Sequence, residues 1–357
     1  MGWLGGAWRV GLVCLAGALA LGLATGGTAF SQCPEGYIDA HTHLMVMEAQ
    51  GGRRHEANPV GASQAALRVM EHLGMGMLLV MPPPFTMGQE DLFDAEELAL
   101  AAKAHPGRLA FLAGGGSLNL MIQRAVADGR VSEELRASFT ARAEAIIALG
   151  ARGFGELAAE HLSFRPEHPY ISAPPDHPLF LLLADLAARH GLPIDLHMEA
   201  VAMDMPRPEG LGAPNPPRLP ANLAALERLL AHNRQAKIIW AHAGWDNTGH
   251  RGAGLCRRLL DAHPNLYMSF KLDKRRGLSA SCPLDDQGRL KPEWLELIRA
   301  HPDRFILGSD HFFLSDMDRR HLPQRAPAMA RLLRLLPPDL AEQVGCENPR
   351  RVFGLGE

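Results

Sequence analysis

The chain has no Cys-x-x-Cys pair, so it offers no zinc-thiolate site. It has no basic stripe interleaved with aromatics, so nothing points to a nucleic-acid partner. Charge of one sign is missing too: 36 Lys and Arg stand against 39 Asp and Glu, a net charge of −3. Beyond the first residues there is no apolar run that would span a membrane. Cysteine is sparse, five in 357 residues, which excludes a small disulfide scaffold. Histidine is the exception, with 17 copies.

Residues 1–31 read as a secretory signal peptide. Arg9 precedes an apolar stretch from Val10 to Leu23, and the tail "ATGGTAFS" places Ala29 and Ser31 where the small-x-small rule wants them, for cleavage before Gln32. An uncleaved anchor is the rival, but the run is shorter than the ~20 residues a span requires. A lipid anchor on Cys33 is disfavoured because "AFSQC" lacks the small residue such sites carry before the cysteine. The mature chain, 32–357, is thus expected to be periplasmic or secreted and free of the membrane. Export leaves Cys33, Cys256, Cys282 and Cys346, which allow three pairings.

From residue 36 onward, short apolar runs alternate with helical patterns, the mark of βαβ units around a parallel sheet. Eight runs are predicted: "GYIDAH" (36–41), "GMLLVM" (76–81), "RLAFLAG" (108–114), "ARGFGEL" (151–157), "LPIDLH" (192–197), "AKIIWAH" (236–242), "NLYMSF" (265–270) and "RFILGSD" (304–310). Between them lie helix-like stretches such as "DAEELALAAKAH" and "LFLLLADLAARHG", the latter stopping at a glycine before Pro193. Eight such repeats imply an α/β fold of the (β/α)8 TIM-barrel class, one domain with loops inserted at the C-terminal face. The Pro-rich "MPRPEGLGAPNPPRLP" (205–220) directly follows a strand and reads as a lid loop, not a domain boundary.

Barrel enzymes carry their chemistry at the C-terminal ends of the strands. Here the first strand ends in His41 and His43, which at i and i+2 of a strand leave the backbone in one direction. The fourth carries Glu156, the fifth ends in His197, the sixth in His242 and the eighth in Asp310. Each has an ordinary alternative: a core histidine satisfied by hydrogen bonds, a salt-bridged glutamate, an aspartate capping a helix. Ligand-type residues at five strand ends at once favour a metal site.

With "DAHTH" on strand one, histidines closing strands five and six, and the "GSD" aspartate on strand eight, the chain resembles the amidohydrolase superfamily. Within it, "DHPLFLLLADLAARHGLPIDLH" and the C-terminal "NPRRVFGL" (348–355) are most similar to the amidohydrolase 2 branch. The resemblance implies two divalent ions bridged by the strand-four carboxylate, Glu156. In one-metal members the equivalents of His41, His43, His197 and Asp310 hold a single ion, and His242 would orient the attacking water. Imidazole and carboxylate ligands without thiolate suit zinc first and manganese second.

The expected activity is metal-dependent hydrolysis of an ester, lactone or amide bond in a small molecule, with Asp310 as the proton carrier. The alternative is non-oxidative decarboxylation, which members of the same branch also perform; an inactive barrel used for binding or metal storage is disfavoured by Asp310. Lys271, Lys274, Arg275 and Arg276, after strand seven, are candidates for pairing with a substrate carboxylate or phosphate, against a solvated basic loop. Glu160, His161 and His168 are assigned to the loop after strand four without a role. The sequence is also compatible with a homo-oligomer.

Overall fold

A computed structural model describes residues 35–50, 53–89, 92–164, 169–272, 281–317 and 325–356. The predicted signal segment, Cys33, His168, Lys274, Arg275 and Arg276 lie outside the described residues.

All eight predicted strands form. The first seven are Tyr37–Met45, Met75–Val80, Leu109–Phe111 with Ala113–Gly114, Phe154–His161, Pro193–Met198, Lys237–Ala243 and Leu266–Phe270. The eighth is Phe305–Leu307, continued by His311–Leu314. Every neighbouring pair among them is parallel. Interruptions in the third and eighth strands divide the ladder into two sheets, and backbone hydrogen bonds bridge both gaps. On one side Leu112 N donates to Val80 O (3.0 Å) and Arg152 N to Phe111 O (2.8 Å); on the other Gly308 N donates to Phe270 O (3.0 Å) and Asp310 N to His41 O (2.9 Å). The strands form a closed parallel ring, a (β/α)8 barrel, with no free edge between first and eighth.

Three strands differ by several residues from their predicted extents: the first runs on past His41 to Met45, and the fourth and eighth differ as follows. The fourth begins at Phe154 and runs on to His161, so Glu160 and His161 belong to the strand and not to a loop; both pair in antiparallel fashion with Ile171–Ser172. The polar character of "AAEH" masked this extension. The eighth breaks at residues 308–310, where Gly308 is required: a Cβ there would lie 2.8 Å from that of His41 and 2.9 Å from that of Ser269. Close approach of two barrel strands explains the glycine of "GSD".

Outer faces of the strands pack against the helices. Leu78, Phe111, Ile194, Leu196, Trp240, Met268 and Phe305 share one large core with helix residues such as Leu183, Leu229, Leu259, Trp294 and Met329. A smaller cluster of Ile38, Ala40, Leu79, Met81, Ile239 and Ile306 is joined by Val352 and Phe353 of the C-terminal helix Asn348–Phe353. Helix Pro178–His190 ends as predicted, at Gly191 with φ 66°. Among the described residues no helix is long and apolar enough to cross a membrane. Cys346 is disulfide-bonded, and Cys256 and Cys282 are free thiols.

The Pro-rich segment after strand five is a clasped flap with structure of its own. Met205–Pro206 pairs with Arg218–Leu219, and Leu219 packs with Leu162 and Val201. Asn215 fastens it to the end of strand four, donating from Nδ2 to Ser163 O (2.7 Å) and accepting Ser163 N at Oδ1 (2.8 Å).

Candidate metal centre

His41, His43, Glu156, His197, His242 and Asp310 meet at the C-terminal mouth of the barrel, all buried. The two rings of the first strand do leave it together, with centroids 5.2 Å apart. Glu156 lies at the centre of the group. Its Oε1 is 2.8 Å from His197 Nδ1 and 3.1 Å from His242 Nε2; its Oε2 is 3.6 Å from His41 Nε2 and 3.5 Å from His43 Nε2. Each carboxylate oxygen therefore faces its own pair of imidazoles. Asp310 closes the group, with Oδ1 3.1 Å from His43 Nε2.

Groups outside the cluster fix the rings. His43 Nδ1 donates to Met81 O (2.9 Å), which turns Nε2 into the site. His41 Nδ1 lies 3.1 Å from Asp195 Oδ1, an ion-pair approach off the line of a hydrogen bond. Gly155 lets Asp195 come close, since a Cβ there would sit 2.9 Å from that of Asp195.

Two of the site residues hold the left-handed backbone conformation that L side chains avoid, His242 at φ 70° and Asp310 at φ 54°. At His242 this changes the face of the strand. Ile238 and Trp240 point outward into the helix layer, and the register with strand seven shifts between Trp240 and Ala243, so that His242 turns inward.

Lys271 is the one described member of the predicted cationic group, and it belongs to the site. It is buried, 3% exposed, with Nζ 2.5 Å from Asp310 Oδ2 and 3.7 Å from the centre of the Trp245 ring. Arg325, which precedes helix Ala326–Leu335, donates from Nη1 to Asp310 O (2.6 Å) and to Asp310 Oδ2. No feature of the sequence marked Arg325: it is fifteen residues beyond Asp310 and reaches it only through the fold. Asp195 did carry a signal, two residues before His197 on the same strand face. Glu199, two residues after it, is held by Asn247 Nδ2 at 2.5 Å. His161 lies against His197 with the rings tilted at 58° and their centres 4.6 Å apart, and Glu160 accepts a hydrogen bond from Ser172 Oγ at 2.8 Å.

Burial raises the cost of charge throughout the cluster. It disfavours protonation of His197 and His242, which keeps both imidazoles neutral and able to donate a lone pair. At His41 burial acts the same way, but the charges of Asp195 and Glu156 outweigh it and hold His41 protonated. Glu156 would be pushed up by burial, yet the His41 charge and the hydrogen bonds from His197 and His242 keep it ionised. Asp310 likewise stays ionised against burial, through Arg325 and Lys271.

These residues fit a divalent ion. His41, Glu156 and His242 bring ligand atoms within 4.8 Å of one another, as do His41, His43 and Asp310. His41 Nε2 is buried with no hydrogen-bond partner, a state that coordination would relieve. The proton drawn onto His41 by two carboxylates marks where the cluster wants positive charge.

A family model described as Amidohydrolase matches residues 38–355. Comparison with curated proteins finds no match. Among solved structures, one from Pseudomonas putida described as a putative 2-pyrone-4,6-dicarboxylic acid hydrolase is 14% identical. It covers 89% of this chain and 97% of its own, with a TM-score of 0.52. A probable 2-pyrone-4,6-dicarboxylic acid hydrolase from Acinetobacter baumannii, with citric acid bound, is 12% identical over 90% of this chain and 100% of its own, with a TM-score of 0.50. The 2,6-dihydroxybenzoate decarboxylase from Rhizobium is 13% identical over 90% and 99%, with a TM-score of 0.46. At such identities the likeness is one of fold.

Proposed function

The chain belongs to the amidohydrolase family, and from that premise we propose that it hydrolyses an ester, lactone or amide bond of a small molecule at a centre of two divalent ions. It is a metal-dependent enzyme of that family; the reaction and the number of ions are our reading. One observation carries it. The oxygens of Glu156 face two separate imidazole pairs, His197 with His242 and His41 with His43, as a carboxylate bridging two ions must. Nitrogen and carboxylate donors without thiolate suit zinc first, then manganese.

In this reading His41, His43 and Asp310 would hold one ion and His197 and His242 the other, and Glu156 would offer a carboxylate oxygen to each. A divalent ion, when bound by these residues, would supply Lewis acidity, making water a nucleophile near neutral pH and polarising a carbonyl oxygen. Asp310 takes a proton at its carboxylate and returns it to the leaving group. Arg325 and Lys271 favour the charged form of Asp310, so it releases that proton readily. His43 and His41 keep their orientation through Met81 O and Asp195, so attack geometry does not depend on mobile side chains.

The test is turnover in water enriched in oxygen-18, with metal-loaded enzyme and panels of lactones (2-pyrone-4,6-dicarboxylate among them), carboxylic esters, N-acyl amino acids and aromatic acids. One heavy oxygen entering the acid product per turnover supports hydrolysis. Carbon dioxide release from an aromatic acid without label would make the protein a decarboxylase instead.

A further inference from the structure

Strand four runs past the metal centre, and its two polar end residues serve different neighbours. His161 lies against His197. Glu160 is engaged instead by the segment that pairs antiparallel with the strand end: its Oε2 accepts a hydrogen bond from Ser172 Oγ at 2.8 Å, and the Tyr170 hydroxyl bonds to the same carboxyl. Glu160 is only 2% exposed, and its Oε1 is buried with no hydrogen-bond partner. The two groups that face the carboxyl, Ser172 and Tyr170, are not cations. On strand five its register partner is Met198, and the next carboxylate there, Glu199, is held by Asn247. The flap after strand five brings Met205, Leu211 and Leu219 to this region, while its Arg207 donates to Asn215 O at 2.7 Å. A carboxylate buried in such company, one oxygen unpartnered, is costly where the neutral acid is not. Burial accordingly raises the Glu160 carboxyl from 4.5 to about 7.

Tyr170 connects this carboxyl to the flap. Its side chain packs on the cluster of Leu162, Val201 and Leu219, against which Met205 and Leu211 of the flap also pack. Phe164 joins the same cluster and lies against Trp245 with ring centres 5.6 Å apart, and the Trp245 ring is centred 6.1 Å from that of His242. The polar clasp of the flap, Asn215 on Ser163, lies just beyond Glu160 in the chain. Contacts thus run unbroken from the Glu160 carboxyl, through the flap anchor, to the rim of the metal centre.

We propose that Glu160 is a proton-operated catch on the flap 205–220. While its carboxyl is protonated, Ser172 and Tyr170 hold the apolar anchor of the flap closed. Once ionised, the carboxylate draws water into the seam, and the flap loosens at the barrel mouth. In the open form water reaches Glu160, which then titrates near its ordinary 4.5, against about 7 in the closed form. Closure is therefore strongest below about pH 4.5, weakens as pH rises, and levels off at its weakest above 7. The catch is independent of the reaction proposed above and would serve a hydrolase or a decarboxylase alike.

The experiment is hydrogen exchange, read by mass spectrometry, on the full-length metal-loaded protein between pH 5 and 8. Each segment's rate is divided by that of the unfolded chain at the same pH, which leaves the opening equilibrium. Protection of residues 205–220 is expected to fall by up to about tenfold per pH unit between 5 and 7 and then level off, while helix Pro178–His190 keeps its protection. Glu160→Gln keeps an acceptor for Ser172 and Tyr170 and cannot ionise, so its flap should stay protected across the range. Glu160→Met is a second non-ionising variant, and thermal melting identifies either one that fails to fold. Any loss of metal at low pH is shared by the variants, so the difference between proteins isolates Glu160. Flap protection that does not change with pH, the same fall in a folded variant, or an equal fall in helix Pro178–His190 would overturn the proposal.

Discussion

His41 Nδ1 stands 3.1 Å from Asp195 Oδ1, and neither side chain is exposed to solvent. A carboxylate behind a ligating imidazole fixes its orientation and raises its basicity. Asp195→Asn keeps the shape and removes the charge. The expected outcome is metal affinity weaker by roughly ten- to a hundredfold, measured by competition with a chelator, with activity returning in excess metal. Unchanged affinity would show that Asp195 only fills space.

Glu156 tests the number of ions. If its two oxygens serve two ions, Glu156→Gln should lower bound metal from about two equivalents toward one and abolish most activity, because a neutral amide is a poor bridging ligand. Elemental analysis of both proteins decides, and one equivalent in each would favour a single-ion centre with His242 orienting water.

Asp310→Asn separates binding from proton transfer. The amide has nearly the same size but cannot carry the proton, so turnover should fall by about 10²- to 10⁴-fold, with metal loss adding to the deficit. Metal content and rate are measured on the same samples. Near-normal turnover would assign the proton to another group.

Glu199 makes a prediction for the metal-free protein. Burial, reinforced by the Asp246 charge, raises its carboxyl from an ordinary 4.5 to about 8. Between those values the folded protein keeps a proton that the unfolded chain has released. The stability this contributes is fully present below about pH 4.5 and is lost as pH rises toward 8, at roughly 1.4 kcal/mol for each pH unit crossed. Glu199→Gln removes the titration, so urea midpoints of the variant should decline less across that range. Equal slopes in the two proteins would mean that Glu199 does not hold its proton.

Export is read from the sequence alone, and the mature chain is proposed to begin at Gln32. Mass spectrometry of exported protein should give that N-terminus, with one disulfide through Cys346 and thiols at Cys256 and Cys282. A mature chain retaining residues 10–23 would identify an anchor instead.

The barrel was legible because its outer strand faces and its helices repeat an apolar rhythm, and because Gly191 and Pro193 punctuate where the chain turns. All six predicted ligand positions converge, since strand ends in a parallel barrel share one rim. Lys271 was legible as a cation near that rim, but its contact with Asp310 was not. Glu160 and His161 were misplaced because the polar end of strand four gave no apolar signal to extend it.

The sequence by itself determined the alternation of elements, the order of the ligand residues along it, and the pairing of His41 with His43, because these follow from local periodicity and residue chemistry. The facing of His242 was decided only in three dimensions. By period two it belongs with Ile238 and Trp240 on the outer face, and a left-handed backbone at φ 70° turns it to the centre. The company of Asp310 was decided there as well: Arg325 reaches it from the cap of the next helix, and Lys271 from the neighbouring strand. Contacts of that kind depend on how strands register and helices pack around the closed ring, and no local pattern along the chain encodes them.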